Sequence, residues 1–213
     1  MTQVASYPQQ KKSGWKTLLR SRRIALWEAG GVLFINIFGG FLHFAFELSG
    51  YAKPVAFFAS VNESTWEHLK FYFWAGLLFA LIEYTYIKDE ANNFIFAKAM
   101  SFLVTPLAVI FVFYAYVGIM VPIHGQGTYL GAVLTGVVGV IIGQLVGSYY
   151  LQKRPLGKTY KYIGLGIIVI LILMFSTFTF FPPKIFLFED FYGYVYTGQF
   201  GVLEDYEPYK VFR

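Results

Sequence analysis

Residues 129–151 read YLGAVLTGVVGVIIGQLVGSYYL, a run without a single charged side chain. A helix of about 20 apolar residues crosses the ~30 Å hydrocarbon core of a bilayer, so this stretch is long enough to span one. Four more stretches of similar character flank it: Leu26–Leu48, Thr65–Ile87, Phe94–Met120 and Tyr160–Phe181. Composition excludes a soluble domain. Hydrophobic residues make up 57% of the chain and charged residues 14%, where globular chains carry about 25% charged. The aromatic share is 21% and the mean hydropathy is +0.55. The expectation is an all-α, polytopic membrane helix bundle with five transmembrane helices over residues 25–181. A basic tail (1–24) precedes it and a Tyr/Phe-rich tail (182–213) follows.

The distribution of Lys and Arg in short loops orients such a bundle. Lys11, Lys12, Lys16, Arg20, Arg22 and Arg23 lie in the N-terminal tail, Lys88 and Lys98 around the second loop, and Lys153, Arg154, Lys158 and Lys161 around the fourth. These residues belong on the cytoplasmic side. The opposite loops hold Lys53 and, between the third and fourth spans, no basic residue. The C-terminal tail, with Glu189, Asp190, Glu204, Asp205 and Glu207, falls outside the cell. The first span is no cleaved signal, because its apolar run exceeds the ~7–15 residues of a signal core and no small-x-small site follows. Pro54–Val61 is apolar but too short to cross, and lies at the interface.

The net charge of +5 resides in membrane-flanking loops, so it carries no nucleic-acid signal. Zero cysteines exclude disulfides, thiolate nucleophiles and thiolate metal sites. In the fourth span Gly131, Thr135, Gly139, Gly143 and Gly147 recur every fourth residue. Such small-residue seams let helices approach closely where lipid supplies no hydrophobic drive. The seam fits a neighbouring span of the same chain, or a homodimer through Gly139, Gly143 and Gly147. Gln144, at mid-membrane depth, should face a helix rather than lipid. Glu28 and Glu83 lie near the inner ends of their spans, where loop Lys or Arg can pair with them.

The remaining polar residues gather at the outer side. Ionisable groups inside a membrane are costly and are functional candidates by default. Asn36, His43 and Glu47 share one face of the first span, with Gly39 and Gly40 leaving room beside it. His43 and Glu47, at i and i+4, have the spacing with which two side chains grip one metal ion. The second span opens with Val61-Asn62-Glu63-Ser64-Thr65-Trp66-Glu67-His68-Leu69-Lys70. Ser64 and Glu67 form a capping box, which leaves Glu63, His68 and Lys70 unexplained. His68 falls at nearly the depth of His43, and His124 sits in the next outer loop. A divalent ion such as zinc is therefore expected on His43, Glu47 and His68, with Glu63, Glu67 or His68 available for acid–base work. The tail, strand-like around Tyr192, Tyr194 and Tyr196, is expected to fold back over the helix ends. Glu189 or Asp190 then completes or covers the site.

Three motifs carry a resemblance. They are His43-Phe44-x-x-Glu47, the block from Val61 to Lys70, and the tail Pro182-Pro183 through Glu189-Asp190 with the later Thr197-Gly198-Gln199-Phe200-Gly201. Together they resemble a family of small prokaryotic multi-pass integral membrane proteins grouped as a domain of unknown function. The resemblance implies five spans in the plasma membrane and a joint role for the motifs, and brings no activity with it. In this chain Phe191 stands where that family has proline after the aspartate.

Two functions lead. The first is an accessory or assembly subunit of a membrane complex, with the Tyr-rich tail docking a partner subunit. The second is a membrane-embedded metal-dependent hydrolase acting at the extracytoplasmic headgroup level. A haem module with His43 and His68 as axial ligands, or a small transport protein using Glu47 and Glu67, are further alternatives.

Overall fold

The computed structural model describes residues 14–202. Five helices carry the chain: α1 Gly14–Leu48, α2 Thr65–Ile87, α3 Phe94–His124, α4 Tyr129–Gln152 and α5 Lys158–Thr177. A hairpin of β1 Glu189–Tyr192 and β2 Val195–Phe200 follows. Between α1 and α2 the short apolar segment makes only a 3₁₀ turn at Val55–Phe57. Helix α1 begins well ahead of its apolar run, so Arg20, Arg22 and Arg23 lie on the helix rather than in a tail. No Pro or Gly interrupts residues 15–25, and nothing in them stops helix propagation. Lys11, Lys12, Glu204, Asp205 and Glu207 lie outside the described residues.

Four helices are long and apolar enough to cross a membrane: α1 from Arg20 onward, α3, α4 and α5. Helix α2 has the length, 23 residues, but carries Glu67, Lys70 and Glu83. Those three side chains are all buried. The outer surface is the reverse. Ile37 is 74% exposed and Phe111 76%, and a soluble surface rarely carries such a continuous apolar belt. Charges inside and large apolar groups outside identify a multi-pass membrane protein.

Local signals fix the ends. Ser64 caps α2 by accepting from Glu67 N at 3.3 Å, and Thr128 caps α4 by accepting from Gly131 N at 3.0 Å. Helix α3 runs through Pro106 and Pro122 and stops where Gly125 takes a left-handed φ of +76°, a conformation without steric cost only for glycine. Asn93 ties the start of α3 to the end of α4 and the α4–α5 loop, its side chain donating to Tyr150 O and Arg154 O and accepting from Leu156 N.

The glycine seam of α4 packs within the chain, against α3, which is its most extensive neighbour. A Cβ on Gly139 would stand 2.8 Å from the backbone nitrogen of Val109, and one on Gly143 would enter the Thr105 side chain. Gln144 meets α3 as expected, accepting from Ser101 Oγ at 2.9 Å. Glu28 and Glu83 find their cation in Lys98 of α3 rather than in a loop. Lys98 Nζ is 2.6 Å from Glu28 and also pairs with Glu83. One ammonium thus joins α1, α2 and α3 in a dry interior. Trp66 stacks between Phe175 and Phe188, with both centroid distances 4.6 Å, and joins α2 to α5 and the tail.

Two outcomes test this packing in detergent thermal unfolding. Gly139→Leu should lose about 1–3 kcal/mol or more through overpacking, while Gly30→Leu, with nothing within 4 Å of its new Cβ, should be close to neutral. Lys98→Met should lose about 3–5 kcal/mol, since removing one member of a buried ion pair strands its partners, and adding Glu83→Gln should recover part of the loss.

Candidate metal centre

Three elements bring the site together. Helix α1 supplies His43, the first turn of α2 supplies His68, and the loop before α2 supplies Glu63. Glu63 Oε1 lies 3.7 Å from His43 Nε2, and Glu63 Oε2 lies 3.4 Å from His68 Nε2. One ligand atom from each of the three residues falls within 4.8 Å of the others. Two tetrahedral ligands at 2.0–2.1 Å from zinc stand roughly 3.3–3.4 Å apart, so small side-chain adjustments would place all three on one ion.

The histidine tautomer supports this geometry. His68 Nδ1 sits 2.9 Å from the Ser64 carbonyl. A carbonyl only accepts, so Nδ1 carries the proton and neutral His68 turns the lone pair of Nε2 toward the Glu63 carboxylate. Lone pairs face each other there unless a cation, a proton or a metal ion, lies between them. Fixing one ring nitrogen through a backbone carbonyl is the usual outer support of a metal-bound histidine. The other nitrogen of His43, Nδ1, is buried with no hydrogen-bond partner among the described residues. The two imidazole centroids are 4.9 Å apart, which leaves no slot for a haem plane between them.

The tail holds Glu63 in place. Asp190, 2% exposed, accepts from the Glu63 backbone N–H at 2.9 Å and from Thr197 Oγ1 at 3.1 Å. Asn62 donates to Gly201 O, and Leu187 O accepts from Trp66 N. Burial pushes the Glu63 carboxyl above the ordinary carboxylate range; His68 pulls it back and Asp190 pushes it further.

The other expected site residues go elsewhere. Glu47, one turn beyond His43, lies outside the group formed by His43, Glu63 and His68. Glu67 is turned about 100° from His68, as consecutive helical residues must be, and it builds a separate buried network. Its carboxylate accepts from Val61 N at 3.1 Å and Thr179 Oγ1 at 2.8 Å and pairs with Lys70. Lys70 Nζ also donates to Ala56 O at 2.8 Å. The capping box is therefore half formed: Ser64 caps, but Glu67 does not return the bond, and Ser64 N donates to Asn62 Oδ1 instead. His124 ends α3, exposed, and stands apart from the cluster. Thr179 was not singled out by the sequence, since a lone threonine after an apolar helix has no distinguishing pattern, whereas Thr197 belongs to the quoted tail motif.

Beside the triad lies a cavity of about 430 Å³ between α1, α2, α3 and α4. The hairpin turn Tyr192-Gly193-Tyr194 forms part of its wall. Gly193 and Tyr194 have φ of +58° and +65°, the two-residue turn that matches strand twist. Tyr194 bonds Thr128 O at 3.2 Å.

Residues 16–202 match the family of unknown function DUF6512. The chain belongs to that family. No curated protein and no solved structure matches it. The matched stretch of this DUF6512 protein runs from α1 to just past β2 and contains the triad, the Glu67–Lys70 network and the hairpin.

Replacing Asp190 with Ala leaves the Glu63 amide without its acceptor. The expected cost is about 1–3 kcal/mol, read by thermal unfolding, whereas Glu47→Ala should change stability by well under that amount.

Proposed function

We propose that this DUF6512 protein is a membrane-embedded, metal-dependent hydrolase of the prokaryotic plasma membrane, with the ion held near the extracytoplasmic surface by His43, His68 and Glu63. The convergence of these three ligand atoms beside a cavity carries the reading. Two histidines and one glutamate are a ligand set of catalytic zinc, which keeps a further position open. A divalent ion held this way lowers the pKa of its water toward neutrality and polarises a substrate carbonyl. In this chain Ser64 O orients His68, Asp190 fixes the Glu63 backbone, and the Tyr192–Tyr194 turn limits access of bulk water.

The same proposal takes α2 as a fifth crossing. Its three charged residues are buried and paired inside the bundle, so they do not meet lipid. With five crossings, the basic residues of α1 and of the inner loops place the N-terminus in the cytoplasm and the hairpin outside. A second reading, an accessory subunit, draws support from the outward face of the hairpin, where Tyr192 is 63% and Val195 65% exposed.

Elemental analysis of protein purified in chelator-free buffer and supplied with zinc tests the metal centre. Near-stoichiometric metal is expected in the wild type and in Glu47→Ala, and its loss in His43→Ala and His68→Ala. Folded wild-type protein that holds no metal would leave the accessory-subunit reading as the better account.

A further inference from the structure

The cavity beside the triad has two chemically different ends. At one end stand His43, His68 and Glu63; the remaining walls are mostly apolar and come from all four helices. Asn36, which lines the deeper part, lies about 10 Å further along α1 than His43 at ~1.5 Å per residue. The deeper part carries few polar side chains, of which Asn36 and Thr135 bond within their own helices while Tyr72 also lines the wall. Asn36 donates to Val32 O at 2.8 Å and Thr135 to Ala132 O at 2.6 Å. It therefore suits an alkyl chain rather than a polar group. No Lys or Arg lines the cavity, which disfavours a phosphate head and favours a neutral one. The volume, about 430 Å³, lies at the lower end of the ~300–1,000 Å³ of small-molecule sites, enough for one chain rather than a two-chain lipid.

The two adjacent glycines of α1 differ in a useful way. A Cβ on Gly39 would meet the Phe71 ring at 2.9 Å, whereas one on Gly40 would meet nothing within 4 Å. Gly40 lines the cavity, so the open space beside it belongs to whatever the cavity holds.

We propose that the cavity binds a single-chain acyl lipid with a neutral ester head, its carbonyl at the His43–His68–Glu63 end and its chain running along α1 toward Asn36. This inference rests on the hydrolase reading and names its substrate class. In the reaction the acyl C–O bond breaks, the oxygen of one water adds to the carbonyl carbon, and the two products are a carboxylic acid and an alcohol, the alcohol taking one of the water's protons.

The test uses full-length protein in detergent with a monoacylglycerol whose chain carries a mid-chain diazirine. Photolabelling and peptide mapping follow for the wild type, Gly40→Leu, Ala132→Leu and His43→Ala, with metal content and unfolding temperature measured on each. The expected result is labelling of α1 and α4 near Asn36 and Val137, reduced at least tenfold in Gly40→Leu while that variant keeps its metal and its fold. Ala132→Leu supplies the same test from the opposite wall should Gly40→Leu misfold. Wild-type labelling that is absent, or unchanged in the folded filled-cavity variants, overturns the proposal. Stronger labelling by a lysophosphatidic acid bearing the same chain overturns the neutral-head assignment. Labelling of wild type that holds no metal would retain the acyl site and remove the hydrolase reading, so the two failures are distinguishable.

Discussion

The carboxylate of Glu67 is the point on which the outer half of the molecule depends. It is 2% exposed, and a carboxylate in such a place is stable only when its oxygens are filled with donors. Val61 N, Thr179 Oγ1 and Lys70 Nζ supply them, and each donor lies on a different piece of chain. Satisfying one side chain thereby fixes the loop before α2, the first turns of α2 and the segment just after α5. Lys70 extends the arrangement to Ala56. Because the loop is fixed, Glu63 has a defined position; because the chain after α5 is fixed, Asp190 can reach the Glu63 amide.

The same physics recurs toward the other end of α2 with Lys98, Glu28 and Glu83. In a bundle whose exterior is lipid, apolar contact between helices gains little over contact with acyl chains. Specificity then comes from close backbone approach and from polar groups that have nowhere else to go. The α3–α4 glycine seam supplies the first and the two buried ion clusters supply the second. Beside the triad lies the cavity, whose walls are mostly apolar.

The long apolar helices, the glycine seam and the Ser64 cap were legible because each depends on local pattern. Apolar run length sets a crossing, a four-residue repeat sets a helix face, and Ser64 sets a cap through a hydrogen bond three residues away. His43 and His68 could be matched by depth alone. The choice among the neighbouring acids was not local. Glu47 has the correct helical spacing from His43, yet the acid that faces the two histidines is Glu63, which lies in a loop bonded to the tail. Glu67 has capping-box spacing, yet its oxygens are taken by residues from the loop and from beyond α5.

Sequence by itself thus determined that this chain is a helical membrane protein with polar groups concentrated at one end, because helix length and hydropathy are properties of contiguous residues. Tertiary structure decided which carboxylate faces the two histidines, which ones are neutralised by lysine, and that a cavity adjoins the triad. Those outcomes depend on which distant segments reach a buried donor or acceptor first, and no periodicity along the chain encodes that.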